Sequence, residues 1–153
     1  MHLDLTYLPC EDRMLLTVRG KAAWLLTRKL LVRVVVAWLK KLELVDLPHV
    51  GFELGKRNIE LEHSLSLEFD DLRSVELPNT SPPDTPLLSE VTLRVDSFGA
   101  TVVLRGGKQT VGLTMTRKEA HLVLEMLAFK ARSAGWATAV AWPDWLGYHR
   151  KTL

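Results

Sequence analysis

Between Val111 and Glu119 the chain changes its apolar period inside one short motif. Val111, Leu113 and Met115 alternate with Thr110, Gly112 and Thr114, the spacing of a strand with one buried face. Thr116-Arg-Lys-Glu119 comes next. A Thr three residues ahead of a Glu is a capping box, in which each side chain satisfies an amide that the helix start leaves without a partner. Ala120, Val123, Leu124, Leu127 and Ala131 then recur at helical spacing, and Gly135 is a natural stop, so a helix is expected over about 117–134. Such a corner demands strand and helix together. A shorter echo, LLTRKLLV at residues 25–32, repeats it.

The surroundings of both corners agree. Val91, Leu93 and Val95 alternate with Thr92, Arg94 and Asp96, Phe98-Gly99 turns, Thr101–Arg105 returns, and Gly106-Gly107 turns again. In the first half, 2–8, 13–19 and 21–26 read as strands around turns at Pro9–Asp12 and Gly20. A helix is expected from Arg28 to about Leu42, although Val32, Val34, Val35 and Val36 are β-branched and helix-averse. Between the halves Ile59, Leu61, His63, Leu65, Leu67 and Phe69 alternate with Glu60, Glu62, Ser64, Ser66, Glu68 and Asp70, which predicts one extra long strand with an acidic outer face. PNTSPPDTP holds four of the seven prolines and predicts a loop over 77–87. The expected fold is therefore α+β and a single domain over 1–153: an antiparallel sheet from two pseudo-repeated three-stranded meanders, each followed by a helix. The half-repeats span about 1–45 and 88–135, and an aromatic-basic tail covers 136–153.

A lone cysteine, Cys10, makes no internal disulfide, which fits a reducing compartment. The start MHLDLTYLPC has no basic segment ahead of an apolar core, so no signal peptide is expected. The apolar run Leu30–Leu39 is broken by Arg33 and is too short for the roughly 20 residues of a bilayer span. A cytoplasmic protein is expected. The net charge of +2 conceals a division: 1–57 carry ten Lys/Arg against six Asp/Glu, 58–90 one against eight, and 91–153 nine against four. Either the acidic middle neutralises its neighbours across the fold, or two basic regions face an anionic partner.

The chain holds no G-x-G-x-x-G, Walker loop, H-E-x-x-H, C-x-x-C or G-x-S-x-G. Arg105-Gly-Gly-Lys108 reads as a hairpin turn, and Cys10 sits in an acidic turn that disfavours its thiolate. His121 and Glu125 stand one helical turn apart, a spacing that suits two metal ligands. They share their stripe with Lys118 and Arg132, and a solvated charged face is the reading adopted. His63 falls on the apolar side of its alternation and is read as a hydrogen-bonded core or edge histidine, or one that a bulge turns outward. No catalytic residue, metal or cofactor is expected.

Two features point to partners. The first helix spreads Leu30, Leu31, Val32, Val34, Val35, Trp38, Leu39 and Leu42 over roughly 200°, where a helix on one sheet needs little more than about 100°. The second adds a seam of Leu122, Met126 and Phe129 to its main stripe. Either the helices pack on each other over a shared sheet, or Trp38, Leu122, Met126 and Phe129 belong to an interface with a second copy or another protein. The second feature is WATAVAWPDWLGYHRKTL, where Trp142, Trp145 and Tyr148 interleave with Arg150 and Lys151. Together with Lys29, Arg33 and Lys40 on the first helix, these suit base stacking and phosphate contact. They suit a protein hot spot equally, and the plainer reading is a tail folded back to plug the core with its tryptophans.

EDRMLLTV, WLLTRK, VTLRV and HLVLEMLAFKARSAGW resemble a group of small bacterial proteins with an E-D-R-L-L strand, a W-L-T-R-R corner and a C-terminal helix ending in A-G-W. The blocks touch about half the chain, and position 29 is Lys where the group's corner has Arg. The resemblance implies a bacterial intracellular protein and lends no activity. Separately, repeated meanders ending in a helix look like the single-stranded nucleic-acid binders of the Whirly and PUR type, a likeness of topology alone. The leading expectation is a non-enzymatic interaction module, a homodimer or a subunit of a bacterial assembly. The alternative is a single-stranded DNA or RNA binder.

Overall fold

The computed structural model describes residues 3–50, 59–65, 82, 84–136 and 142–147. Strands β1 (Leu3–Leu8), β2 (Arg13–Val18) and β3 (Ala22–Leu26) lead into helix α1 (Arg28–Val50). A helical segment α2 covers 59–65. Strands β4 (Glu90–Val95), β5 (Gly99–Gly106) and β6 (Gln109–Thr116) lead into helix α3 (Arg117–Ser133). The class is α+β, as expected, but the strands form two separate three-stranded antiparallel sheets, ordered β1-β2-β3 and β4-β5-β6.

The capping box at α3 is present: Thr116 Oγ1 accepts from the Glu119 amide at 3.2 Å, and the Thr116 amide donates to Glu119 Oε1 at 3.1 Å. At the other end Gly135 takes φ 76°, which costs glycine little. The amides of Gly135 and Trp136 then reach back to the carbonyls of Arg132 and Ala131 at 3.0 and 2.8 Å, closing the helix as a Schellman motif. α1 begins where expected and continues eight residues past Leu42. No glycine or proline falls between Gly20 and Pro48, so the sequence holds no strong stop near Leu42, and the helix runs on through Pro48 to Val50, just before Gly51. Its valines do not prevent helix because Leu31, Val35, Trp38, Leu39 and Leu42 are all buried, and tertiary burial outweighs a propensity deficit of under about 1 kcal/mol per residue.

The expected extra strand is the main correction. Residues 59–65 are helical, and 66–70 lie outside the described residues. Period two was a weak guide here, because of 59–65 only Ile59 is β-branched while Leu and Glu favour helix. The helix turns Ile59 and His63 inward, one turn apart, and leaves Leu61 and Leu65 exposed. Of the proline-rich loop, 77–81 and 83 also lie outside the described residues.

One apolar core joins both halves. Leu5, Leu16 and Trp24 of the first sheet share it with Val102, Leu113 and Met115 of the second, and with Leu31, Trp38, Leu124 and Leu127 of the helices. α1 packs on α3 and β4, while α3 touches both sheets through β1, β5 and β6. Two ties lock the sheets: Trp24 Nε1 donates to the Gly106 carbonyl at 3.0 Å, and Leu25 bridges the 86–88 segment through two 2.8 Å backbone bonds. No helix among the described residues is long and apolar enough to cross a membrane.

Candidate functional site: a buried row of histidines and carboxylates

Helical spacing puts Arg117, His121 and Glu125 on one side of α3, and α2 lies against that side. His63 Nδ1 and His121 Nδ1 face each other at 3.0 Å. His63 Nε2 meets Glu125 Oε2 at 3.4 Å, and His121 Nε2 meets Glu62 Oε1 in a short contact. The result is a continuous row, Glu62–His121–His63–Glu125. Three of its four members are sealed: His63 is 1% exposed, and His121 and Glu125 are 0%.

Both ends are held. Arg117 donates to Glu62 from Nε at 3.0 and 3.2 Å and from Nη2 at 2.7 Å, and its Nη1 reaches the Asp96 carbonyl at 3.2 Å. Glu125 accepts the Gly147 amide on both oxygens at 2.8 Å, while the Trp145 ring lies 5.0 Å from that of His63. Arg132 secures the same 142–147 segment, donating to the carbonyls of Leu146 at 2.7 Å and Pro143 at 3.3 Å. A buried carboxylate without donors is costly, and these contacts supply them.

The electrostatics follow from the neighbours. Burial alone would raise the Glu62 pKa, but hydrogen bonds from His121 and Arg117 outweigh it and bring it to about 2. Burial lowers the His121 pKa against the pull of the Glu62 carboxylate, with the charges of His63 and Arg117 pushing the same way as burial. A second polar cluster sits at the β1–β2 turn. There Asp12, at φ 47°, accepts from Trp136 Nε1 at 2.8 Å, Tyr7 Oη at 2.9 Å and Arg28 at 3.0 Å. The Trp136 and Tyr7 bonds lower the Asp12 pKa, and the bond to Asp12 raises that of Tyr7.

These placements revise several expectations. His121 and Glu125 are interior rather than a solvated face; of their stripe Lys118 is exposed and Arg132 folds onto carbonyls. His63 is the hydrogen-bonded core histidine expected of it, although on a helix. Trp38 is core at 2% exposure and is not available to a partner, whereas Leu122, Met126 and Phe129 remain half-buried at the surface of α3. Lys29, Arg33 and Lys40 are all exposed along α1. Trp142 is buried with Arg132 over its ring at 5.4 Å, so it is not free to stack on a base, and Trp145 is half-buried against His63. Tyr148, Arg150 and Lys151 lie outside the described residues. Cys10 is exposed. No group of three or more His, Cys, Asp or Glu among the described residues is placed to hold a metal ion.

Sequence reading passed over Glu62, Arg117, Asp12 and Gly147. The available signal was the i, i+4, i+8 spacing of Arg117, His121 and Glu125, together with a histidine on an apolar face at position 63. No family model, curated protein or solved structure matches the chain.

Proposed function

We propose that the protein is a non-enzymatic interaction module, a homodimer or a subunit of a bacterial assembly, that docks through the outward side of α3. One observation carries this reading: Leu122, Met126 and Phe129 stay part-exposed while the core, α2 and the 142–147 segment engage the other sides of that helix. Leu61 and Leu65 of α2, 59% and 50% exposed, add an apolar pair of the kind that borders interfaces. The helix-to-helix packing of α1 on α3 accounts for the rest of the apolar surplus, so the interface is narrower than the sequence implied.

The test is the native mass by light scattering behind size exclusion at rising concentration, for the wild type and for Leu122→Lys with Met126→Lys. Assembly in the wild type and its loss in the variant support the reading. A wild type that stays monomeric when concentrated, and that captures nothing from its native host, contradicts it.

A second reading rests on the exposed Lys29, Arg33 and Lys40 stripe, which suits the phosphate backbone of single-stranded DNA or RNA. With Trp142 buried, the contact would be mainly electrostatic. Fluorescence titration with mixed oligonucleotides at two ionic strengths decides it: binding that weakens steeply with salt supports this reading, and no binding at low salt ends it. On the same footing, we read the two β-β-β-α arrangements as copies of one degenerate unit. The sequence blocks that resemble small bacterial proteins favour an intracellular, cytoplasmic setting.

A further inference from the structure

The row on α2 and α3 has three links, Glu62–His121, His121–His63 and His63–Glu125, and each link closes only when one proton lies in it. Two neutral imidazoles donating from Nε2 bring two protons, which leaves two Nδ1 lone pairs facing each other at 3.0 Å. A third proton closes the central link. The two carboxylates and one added proton then sum to a single negative charge, and the Arg117 guanidinium lies against it, 2.7 Å from Glu62. A fourth proton sets N–H against N–H and breaks the same link.

We propose that this row is a proton-counting latch: with one proton per link it fastens α2 and the 142–147 segment to α3, and a fourth proton releases both. The groups that bear on it come from each element packed there. α2 supplies Glu62 and His63, with Glu60 exposed outside. α3 supplies Arg117, His121 and Glu125, with Lys118 exposed. The 142–147 segment supplies the Gly147 amide and the Trp145 ring, with Asp144 exposed and Arg132 bound to its carbonyls. The β4–β5 turn supplies the Asp96 carbonyl, its carboxylate being engaged by the Phe98 and Gly99 amides.

His121 is the member whose protonation opens the central link, and burial disfavours that protonation in the closed state. An opened histidine titrates near pH 6.5, so closing the three-proton row takes up a proton above that value and sheds one below it; the latch is tightest near pH 6.5 and weakens on either side. Hydrogen exchange followed by mass spectrometry tests this on the intact chain at pH about 8, about 6.5 and about 5, with rates corrected for the intrinsic pH dependence. Protection in 59–65 and 142–147 should be greatest near pH 6.5 and fall about tenfold for each pH unit further out on either side, while β5 and β6 keep theirs. His63→Gln removes the facing Nδ1 pair and leaves a lone His121 that needs no added proton, so the loss of protection above pH 6.5 should disappear while the loss below it remains. Protection in either segment that does not fall on both sides of about pH 6.5, an equal loss across β5 and β6, or a loss above that pH that persists in His63→Gln would each overturn the proposal.

Discussion

Asp12 and Glu125 do the same job with opposite surroundings. Each accepts hydrogen bonds from the last part of the described chain, Asp12 from the Trp136 indole and Glu125 from the Gly147 amide. The Asp12 side chain is 46% exposed and pairs with Arg28, itself 53% exposed. Water can replace any partner it loses. Glu125 is sealed, and its other neighbour is a histidine whose own partner is a second buried histidine. The difference teaches where charge is an expendable fastener and where it is a condition of packing: an ion pair in solvent contributes little, while a buried polar group without its partner carries the full desolvation cost.

The sharpest way to break the comparison is His121→Ala. It removes a fully buried side chain and leaves Glu62 and His63 short of partners, so urea unfolding should show a loss of about 3 kcal/mol or more. A loss under about 1 kcal/mol would mean that the row behaves like a surface cluster. Next in size is the wild type in acid. His121 has a lowered folded pKa, so the unfolded chain takes up protons first and stability falls as pH drops below about 6.5. Glu62, held at about 2, adds a further loss as pH falls through the carboxylate range toward that value. His121→Asn should lose the upper of these two steps and keep the lower.

Thr116→Ala touches neither cluster and gives the scale, about 1 kcal/mol for one helix cap, read in the same urea experiment. Asp12→Asn should have the smallest effect. It keeps an oxygen to accept from Trp136 and Tyr7 and gives up only an exposed ion pair, so its unfolding midpoint should lie closest to wild type. A midpoint shift larger than that of Thr116→Ala would erase the distinction between the two clusters.

The same contrast separates what the sequence made legible from what it did not. β4, β5 and β6 were readable because the second sheet keeps one face in water: Thr92, Arg94, Thr101 and Thr114 are exposed between half-buried or buried apolar neighbours. The Thr116–Glu119 cap and Gly135 were readable because caps are local chemistry. In the first sheet Met14, Leu15 and Leu16 are buried in succession, and Leu8 and Leu15 lie on the face away from the core cluster. Alternation fades when both faces are covered. Whether two meanders make one sheet or two is decided by the Trp24–Gly106 and Leu25–Leu87 ties, over separations no local pattern spans. The row was the least legible part. His63 and His121 are 58 residues apart, and the alternation at 59–65 fits a strand and a helix equally until something packs on it.

The central claim is that one proton is shared between the facing imidazoles. Nitrogen-15 spectra of selectively labelled histidine, near neutral pH, read the protonation of each ring nitrogen directly. The account requires one proton on the Nδ1 pair of His63 and His121, coupled across the 3.0 Å contact. Two bare Nδ1 atoms, or a proton on each, would contradict it.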